Sequence, residues 1–148
     1  MSASHSVLRG GCHCGALRYE STEPPIDTGY CHCSLCRRTT GAPVLAWASV
    51  PVGSFRYVHG APAIYQSSKW GHREFCARCG TQICYRQTQD ARSVDLNLGS
   101  LDEPERCPPQ MHIYYADRLA WFETADALPR HPANKDPGDG GPTKPIKE

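Results

Sequence analysis

Long apolar runs, blocks of like charge and extended helical patterns are all missing from this chain. No stretch approaches the ~20 apolar residues of a membrane span, so the sequence predicts no helical anchor and no membrane partner. Met1 to Gly11 holds no apolar run either, which predicts no secretory signal and a cytoplasmic location. Lys and Arg number 16 against 15 Asp and Glu, a net charge of +1. No Lys/Arg run has the length of a nucleic-acid patch, so the charge pattern gives no support to nucleic-acid binding. The apolar fraction of 39% is low; even with glycine added it falls a little short of the usual ~45–50%. A chain of 148 residues is about one domain, here with a thin core. Such a core needs staples, either disulfides or metals.

What the chain does have is cysteine, proline and glycine. Thirteen Pro and thirteen Gly predict many turns and little long helix. Seven of the nine cysteines fall into three clusters: Cys12-His13-Cys14, Cys31-His32-Cys33-Ser34-Leu35-Cys36 and Cys76-Ala77-Arg78-Cys79. Disulfides are uncommon in a reducing compartment, and an odd cysteine count fits a disulfide framework poorly, so the staple is read as metal.

Between the clusters the sequence predicts short strands: Ala16 to Glu20, Val44 to Val50, Phe55 to Val58, Ala63 to Gln66, Thr81 to Arg86 and Met111 to Tyr115. Val94, Leu96 and Leu98 alternate with polar residues and mark the clearest half-buried strand. Ser34 is expected to cap a short helix that runs to Thr40 and stops at Gly41 and Pro43. Thr124 to Leu128 is expected to form one further turn. The domain reading is a flexible N-terminus over 1–8, a zinc domain over 9–130, and a Pro/Gly-rich tail over 131–148 with nothing to bury. The fold class is mainly β with little helix.

The cysteine spacings separate into two kinds. In an extended strand, residues two apart share a face, so Cys12 and Cys14 can present their sulfurs together. Cys76 and Cys79 have the knuckle spacing C-x-x-C followed by Gly80. Four thiolates close a tetrahedral zinc site whose sulfurs lie ~3.8 Å apart. Cys12, Cys14, Cys76 and Cys79 are therefore assigned to a structural zinc. The middle cluster packs Cys31, Cys33 and Cys36 into a tripod that crosses the start of the short helix. Three thiolates on Zn²⁺ leave net −1 and one coordination position for chemistry. Two alternatives stand beside that reading. Cys84 or Cys107 could close the tripod as a fourth ligand, or an iron–sulfur cluster could use it, although the usual spacings are absent. Otherwise Cys84 reads as a buried strand residue and Cys107 as a loop thiol.

Together these stretches resemble the glutathione-dependent formaldehyde-activating family, which includes centromere protein V-like proteins. The likeness rests on Gly10 to Gly15, Cys31 to Arg38, Gly41-Ala42-Pro43 and Phe75 to Gly80, and further on Leu101-Asp102, His112-Ile113 and Trp121-Phe122. It covers about Arg9 to Arg130. The resemblance implies Mss4-like layered antiparallel sheets built around zinc and two Zn²⁺ ions per chain. One would be structural at Cys12, Cys14, Cys76 and Cys79; the other would be catalytic at Cys31, Cys33 and Cys36. It also implies a carbon–sulfur lyase-type activity like that of S-(hydroxymethyl)glutathione synthase, on a small-molecule substrate such as a glutathione adduct of a small aldehyde. The alternative is a non-catalytic, zinc-stabilised binding module of the centromere protein V-like type.

Other residues carry weaker expectations. His13 and His32 are read as loop histidines, with proton donation to substrate as the alternative. His72 and Arg73 are read as a solvated turn before the third cluster, and Arg37 and Arg38 as helix-end charges able to receive carboxylates. Trp47, Trp70 and Trp121 are read as core or pocket walls.

Overall fold

Among the described residues, ten short strands and one α-helix lie between turns rich in Gly and Pro. The computed structural model describes residues 7–89 and 91–135. The strands are β1 (Leu8–Gly11), β2 (Arg18–Ser21), β3 (Asp27–Cys31), β4 (Leu45–Pro51), β5 (Phe55–His59), β6 (Ala63–Ser68), β7 (Gly71–Phe75), β8 (Gln82–Gln87), β9 (Ser93–Asn97) and β10 (His112–Ile113). The helix α1 (Ser34–Thr40) follows β3. A three-stranded sheet has the order β1-β2-β5, and a seven-stranded sheet the order β10-β3-β4-β9-β8-β7-β6. Every pairing is antiparallel except β10 with β3. This is the mainly β, layered antiparallel architecture that the sequence predicts.

Alternation along the strands separates two apolar clusters. Leu8, Leu17, Tyr19, Ala48, Val50, Ile83, Leu96 and Leu101 belong to the larger one, together with Cys12 and Cys76. Trp47 belongs instead to a smaller cluster with Cys31, Cys33, Cys36 and Tyr114. Since Trp47 and Ala48 are consecutive in β4, they point to opposite faces of the sheet. The four-cysteine set is thus tied to the larger core and the tripod to the other face.

Several local expectations change. Cys12 and Cys14 lie in a turn after β1, not in a strand. Cys33, not Ser34, caps α1: its sulfur accepts the Cys36 N–H at 3.3 Å. Leu98 leaves β9 for a 3-10 turn yet stays buried. The last strand shrinks to His112–Ile113, because Tyr114 takes a left-handed backbone (φ 52°). No helical turn forms over 124–128; there the Asp126 carboxylate accepts the Leu128 N–H and the Thr124 hydroxyl meets His112. Three strands, β1, β3 and β7, lie outside the expected set.

Leu8 is already part of β1. Residues 131–135 run beside β10, with the Tyr114 N–H bonded to Ala133 O at 3.0 Å and the His131 N–H to His112 O at 2.9 Å. The remaining parts of the expected flexible N-terminus and tail, 1–6 and 136–148, lie outside the described residues. Among the described residues, no helix is long and apolar enough to cross a membrane.

Candidate metal centres

Two turns with the same hydrogen-bond logic build the first centre. In one, the Cys12 N–H reaches Leu17 O at 3.1 Å and the Gly15 N–H returns to Cys12 O at 3.2 Å. In the other, the Cys76 N–H reaches Thr81 O at 2.9 Å and the Gly80 N–H returns to Cys76 O at 2.8 Å. Gly15 and Gly80 have φ of 82° and 81°, where a Cβ would strain the backbone. Backbone N–H groups also point at sulfur, from Leu17 to Cys12 at 3.2 Å and from Cys79 to Cys76 at 3.4 Å. The His13 N–H donates to Thr81 Oγ1 at 3.1 Å and ties one turn to the other.

The sulfurs of Cys12, Cys14, Cys76 and Cys79 converge within 4.8 Å of one another. Cys12 and Cys14 are 3.6 Å apart, and Cys14 and Cys76, 62 positions apart in sequence, are 3.7 Å apart. A tetrahedral zinc with bonds of ~2.3 Å requires ~3.8 Å, so the donor set fits that ion. The thiols are tuned unequally. Cys79 is lowered to about 5 by its hydrogen bond with the Thr81 side chain and by backbone N–H groups. For Cys14 the Ala16 N–H favours the thiolate, but partial desolvation and its sulfur neighbours Cys12, Cys79 and Cys76 together push it up to about 11. Burial opposes ionisation of Cys12, and bonds from Leu17, Cys14 and Cys76 outweigh it, leaving that thiol lowered.

The second centre is built where β3 runs into α1. Cys31 ends the strand, Cys33 caps the helix and Cys36 lies in its first turn. Their sulfurs also lie within 4.8 Å of one another, and all three residues are buried. Cys33 and Cys36, and burial after them, drive the Cys31 thiol well above its ordinary value. Three crowded sulfurs in an apolar shell resist ionisation unless a cation joins them. That donor chemistry also fits a divalent ion. Among the described residues, no fourth Cys, His, Asp or Glu donor belongs to this group. Cys84 and Cys107 pack in the larger core instead, and burial pushes the Cys84 thiol up to about 12.

Arg73 departs most from expectation. It is no solvated turn residue: it is 1% exposed, and its Nη2 donates to Cys36 Sγ at 3.6 Å. His72 leaves on the other side of β7 and meets Glu74 Oε2 at 2.9 Å. His32 is not a loop histidine either. It is 1% exposed, and its Nε2 lies 2.8 Å from His112 Nδ1. His112 Nε2 in turn meets the Asp126 carboxylate at 3.1 Å. Burial, followed by the charge of His112, lowers His32 to about 4, so its ring is neutral near pH 7. The tripod spacing offers a signal for this, since a residue between two ligands that share a face must point away from them. Trp47 walls the tripod as expected and Trp70 is half-buried, whereas Trp121 is 74% exposed and serves as neither core nor wall.

The model of the glutathione-dependent formaldehyde-activating enzyme family matches residues 7–117, which include both centres. The chain belongs to this family. A Halomonas elongata protein whose name provisionally gives it the same activity is 30% identical over 126 residues, covering 79% of this chain and 80% of that one. A crystal structure of a Rhodobacter sphaeroides protein shares the fold, with a TM-score of 0.54 and 28% identity over 64% of this chain and 87% of that one. The family's name suggests chemistry on glutathione and formaldehyde.

Proposed function

We propose that this protein is a zinc-dependent carbon–sulfur lyase-type enzyme, acting on the thiol adduct of a small aldehyde as S-(hydroxymethyl)glutathione synthase does. In this reading Cys12, Cys14, Cys76 and Cys79 hold a structural zinc, and Cys31, Cys33 and Cys36 hold a catalytic one. The observation that carries it is the three-sulfur group, which among the described residues has no fourth Cys, His, Asp or Glu donor. A non-catalytic module would have every reason to close that position. Bound there, zinc would supply Lewis acidity and favour a thiolate as its remaining donor.

The residues of the chain would supply the rest. A thiol of pKa ~8.5 is only ~3% ionised at pH 7, so complete ionisation gains at most ~30-fold. Orientation of the aldehyde and exclusion of water must therefore contribute. The tripod is suited to exclusion: Trp47 and Tyr114 pack on it with Leu35, Leu45, Met111 and Ile113. His32 acts as a positioning residue here, because its bond to His112 anchors the backbone between Cys31 and Cys33. A cytoplasmic location, where thiols stay reduced, belongs to the same reading.

Two measurements test it. Metal counting should find two zinc ions per chain. Exchange NMR with glutathione and formaldehyde should show faster interconversion with S-hydroxymethylglutathione in the presence of the protein, and no acceleration with Cys33→Ser. Two ions without any acceleration would favour the binding module.

A further inference from the structure

Arg73 sits in the middle of β7 and is the largest of the fully buried side chains among the described residues. A guanidinium keeps its proton at any ordinary pH. Buried without an anion, it would be strongly unfavourable. Among the described residues Arg73 forms no ion pair with a carboxylate. The adjacent acid, Glu74, is committed elsewhere: it accepts from Tyr57 Oη at 2.9 Å and pairs with His72 at 2.9 Å and Arg86 at 2.6 Å. Arg73 instead reaches Cys36 Sγ at 3.6 Å and lies 5.1 Å from the centre of the Tyr85 ring. Its Nε has no partner. An aromatic face offers only partial negative charge, so among the described residues the tripod, once metal binding has made its sulfurs thiolates, is the full anion within its reach.

The charges match. A divalent ion on three thiolates carries net −1, and Arg73 carries +1. We propose that Arg73 is the buried counter-ion of the three-sulfur centre, cancelling the negative charge that remains when Cys31, Cys33 and Cys36 hold a divalent metal. This role rests on the reading that the tripod binds metal. The four-sulfur centre would carry −2, but Cys14 and Cys79 are exposed and water screens it. A centre with three buried sulfurs has no such screening and needs its cation from the protein.

The test compares the zinc-loaded protein with Arg73→Met and Arg73→Lys, by zinc release to a chromophoric chelator. Arg73→Met should release one of the two ions roughly 10–100-fold more readily and leave the other unchanged. Arg73→Lys should restore most of the loss. A thermal-melting cycle adds a readout that simple packing would not move. In the metal-loaded parent, Arg73→Met should lower the melting temperature. In a Cys36→Ser background, where the cation has lost its partner, it should raise it. Unchanged release from Arg73→Met, or melting shifts of the same sign in both backgrounds, overturns the counter-ion role. If Arg73→Met does not fold, Arg73→Lys decides: release near that of the parent supports the role, and release roughly 10–100-fold faster than the parent's overturns it. A parent chain that binds a single ion refutes the metal reading of the tripod and the counter-ion with it. Two ions in the parent with unaltered release from the variants refutes the counter-ion alone.

Discussion

Of the two cysteine centres, the one with four sulfurs has two exposed ligands, Cys14 and Cys79, whereas all three residues of the tripod are buried. Openness of coordination and openness to solvent therefore run in opposite directions. An ion held by four thiolates has no position to exchange, so contact with water changes little, and water screens its charge. A three-thiolate group in contact with bulk water would be exposed to oxidation and to competing ligands. Burial protects it but removes the screening. The neighbours of each centre reflect that difference: the first is surrounded by backbone N–H donors in two turns, and the second has a guanidinium within reach of sulfur.

The largest expected effect would break the comparison outright. Structural zinc contributes on the order of 10–16 kcal/mol in small peptides, comparable with a whole domain's ~5–15 kcal/mol. Cys12→Ser or Cys79→Ser should therefore unfold or aggregate the chain, whereas Cys33→Ser should leave it folded with one ion missing. Metal counting alongside thermal melting checks this, and equal loss of fold from both classes would end the division of labour.

A second variant asks whether the first centre or the apolar core matters more. Leu96 is wholly buried in the larger cluster. Leu96→Ala should cost about 2–5 kcal/mol in urea unfolding, less than loss of a first-centre ligand. A deficit as large as that of Cys12→Ser would place the core above the metal.

Gly15→Ala and Gly80→Ala sharpen the comparison at the level of single turns. Nothing lies within 4 Å of a Cβ at either position, so the penalty comes from the left-handed backbone. Each should cost about 1–2 kcal/mol and, in the cobalt-substituted protein, speed chelator-driven loss of cobalt absorption from the first centre alone.

The smallest effect lies at the surface just past the first turn. Arg18, the first residue of β2, forms a two-pronged pair with Asp102. The hydrogen bond from Arg18 holds the Asp102 carboxyl below the usual carboxylate range. A depressed carboxylate stabilises the fold above the unfolded pKa of ~3.9, and that contribution is lost as pH falls through the lower folded value. Asp102→Asn should thus cost no more than about 1 kcal/mol at neutral pH and nothing in strong acid. Urea melts at two pH values would show it; a deficit that persists in acid would point to packing rather than charge.

Much of this arrangement is legible in the sequence. The spacings Cys12-x-Cys14, Cys31-x-Cys33-x-x-Cys36 and Cys76-x-x-Cys79 identify both sulfur sets, β2 and β9 follow from their alternation, β4 from its apolar run, and β5, β6 and β8 from the short segments expected between the clusters. β7 does not, because Gly-His-Arg-Glu-Phe has no apolar alternation. Charged residues are almost never fully buried unless paired, and pairing is invisible along the chain. Glu74 is covered because His72, Arg86 and Tyr57 from another sheet surround it. His112 escaped for a related reason: its partners, His32 and Asp126, come from segments distant in sequence.

Sulfur chemistry and spacing, which are local properties, determined from the sequence alone which seven cysteines group into a paired-turn set and a tripod able to share an ion. Tertiary structure decided the rest: that the four-sulfur set meets water, that the tripod lies in a separate apolar cluster, that Cys84 and Cys107 cannot close it, and that Arg73 faces Cys36. Burial and charge compensation depend on which strands pair across the sheets, and a linear pattern does not carry that information.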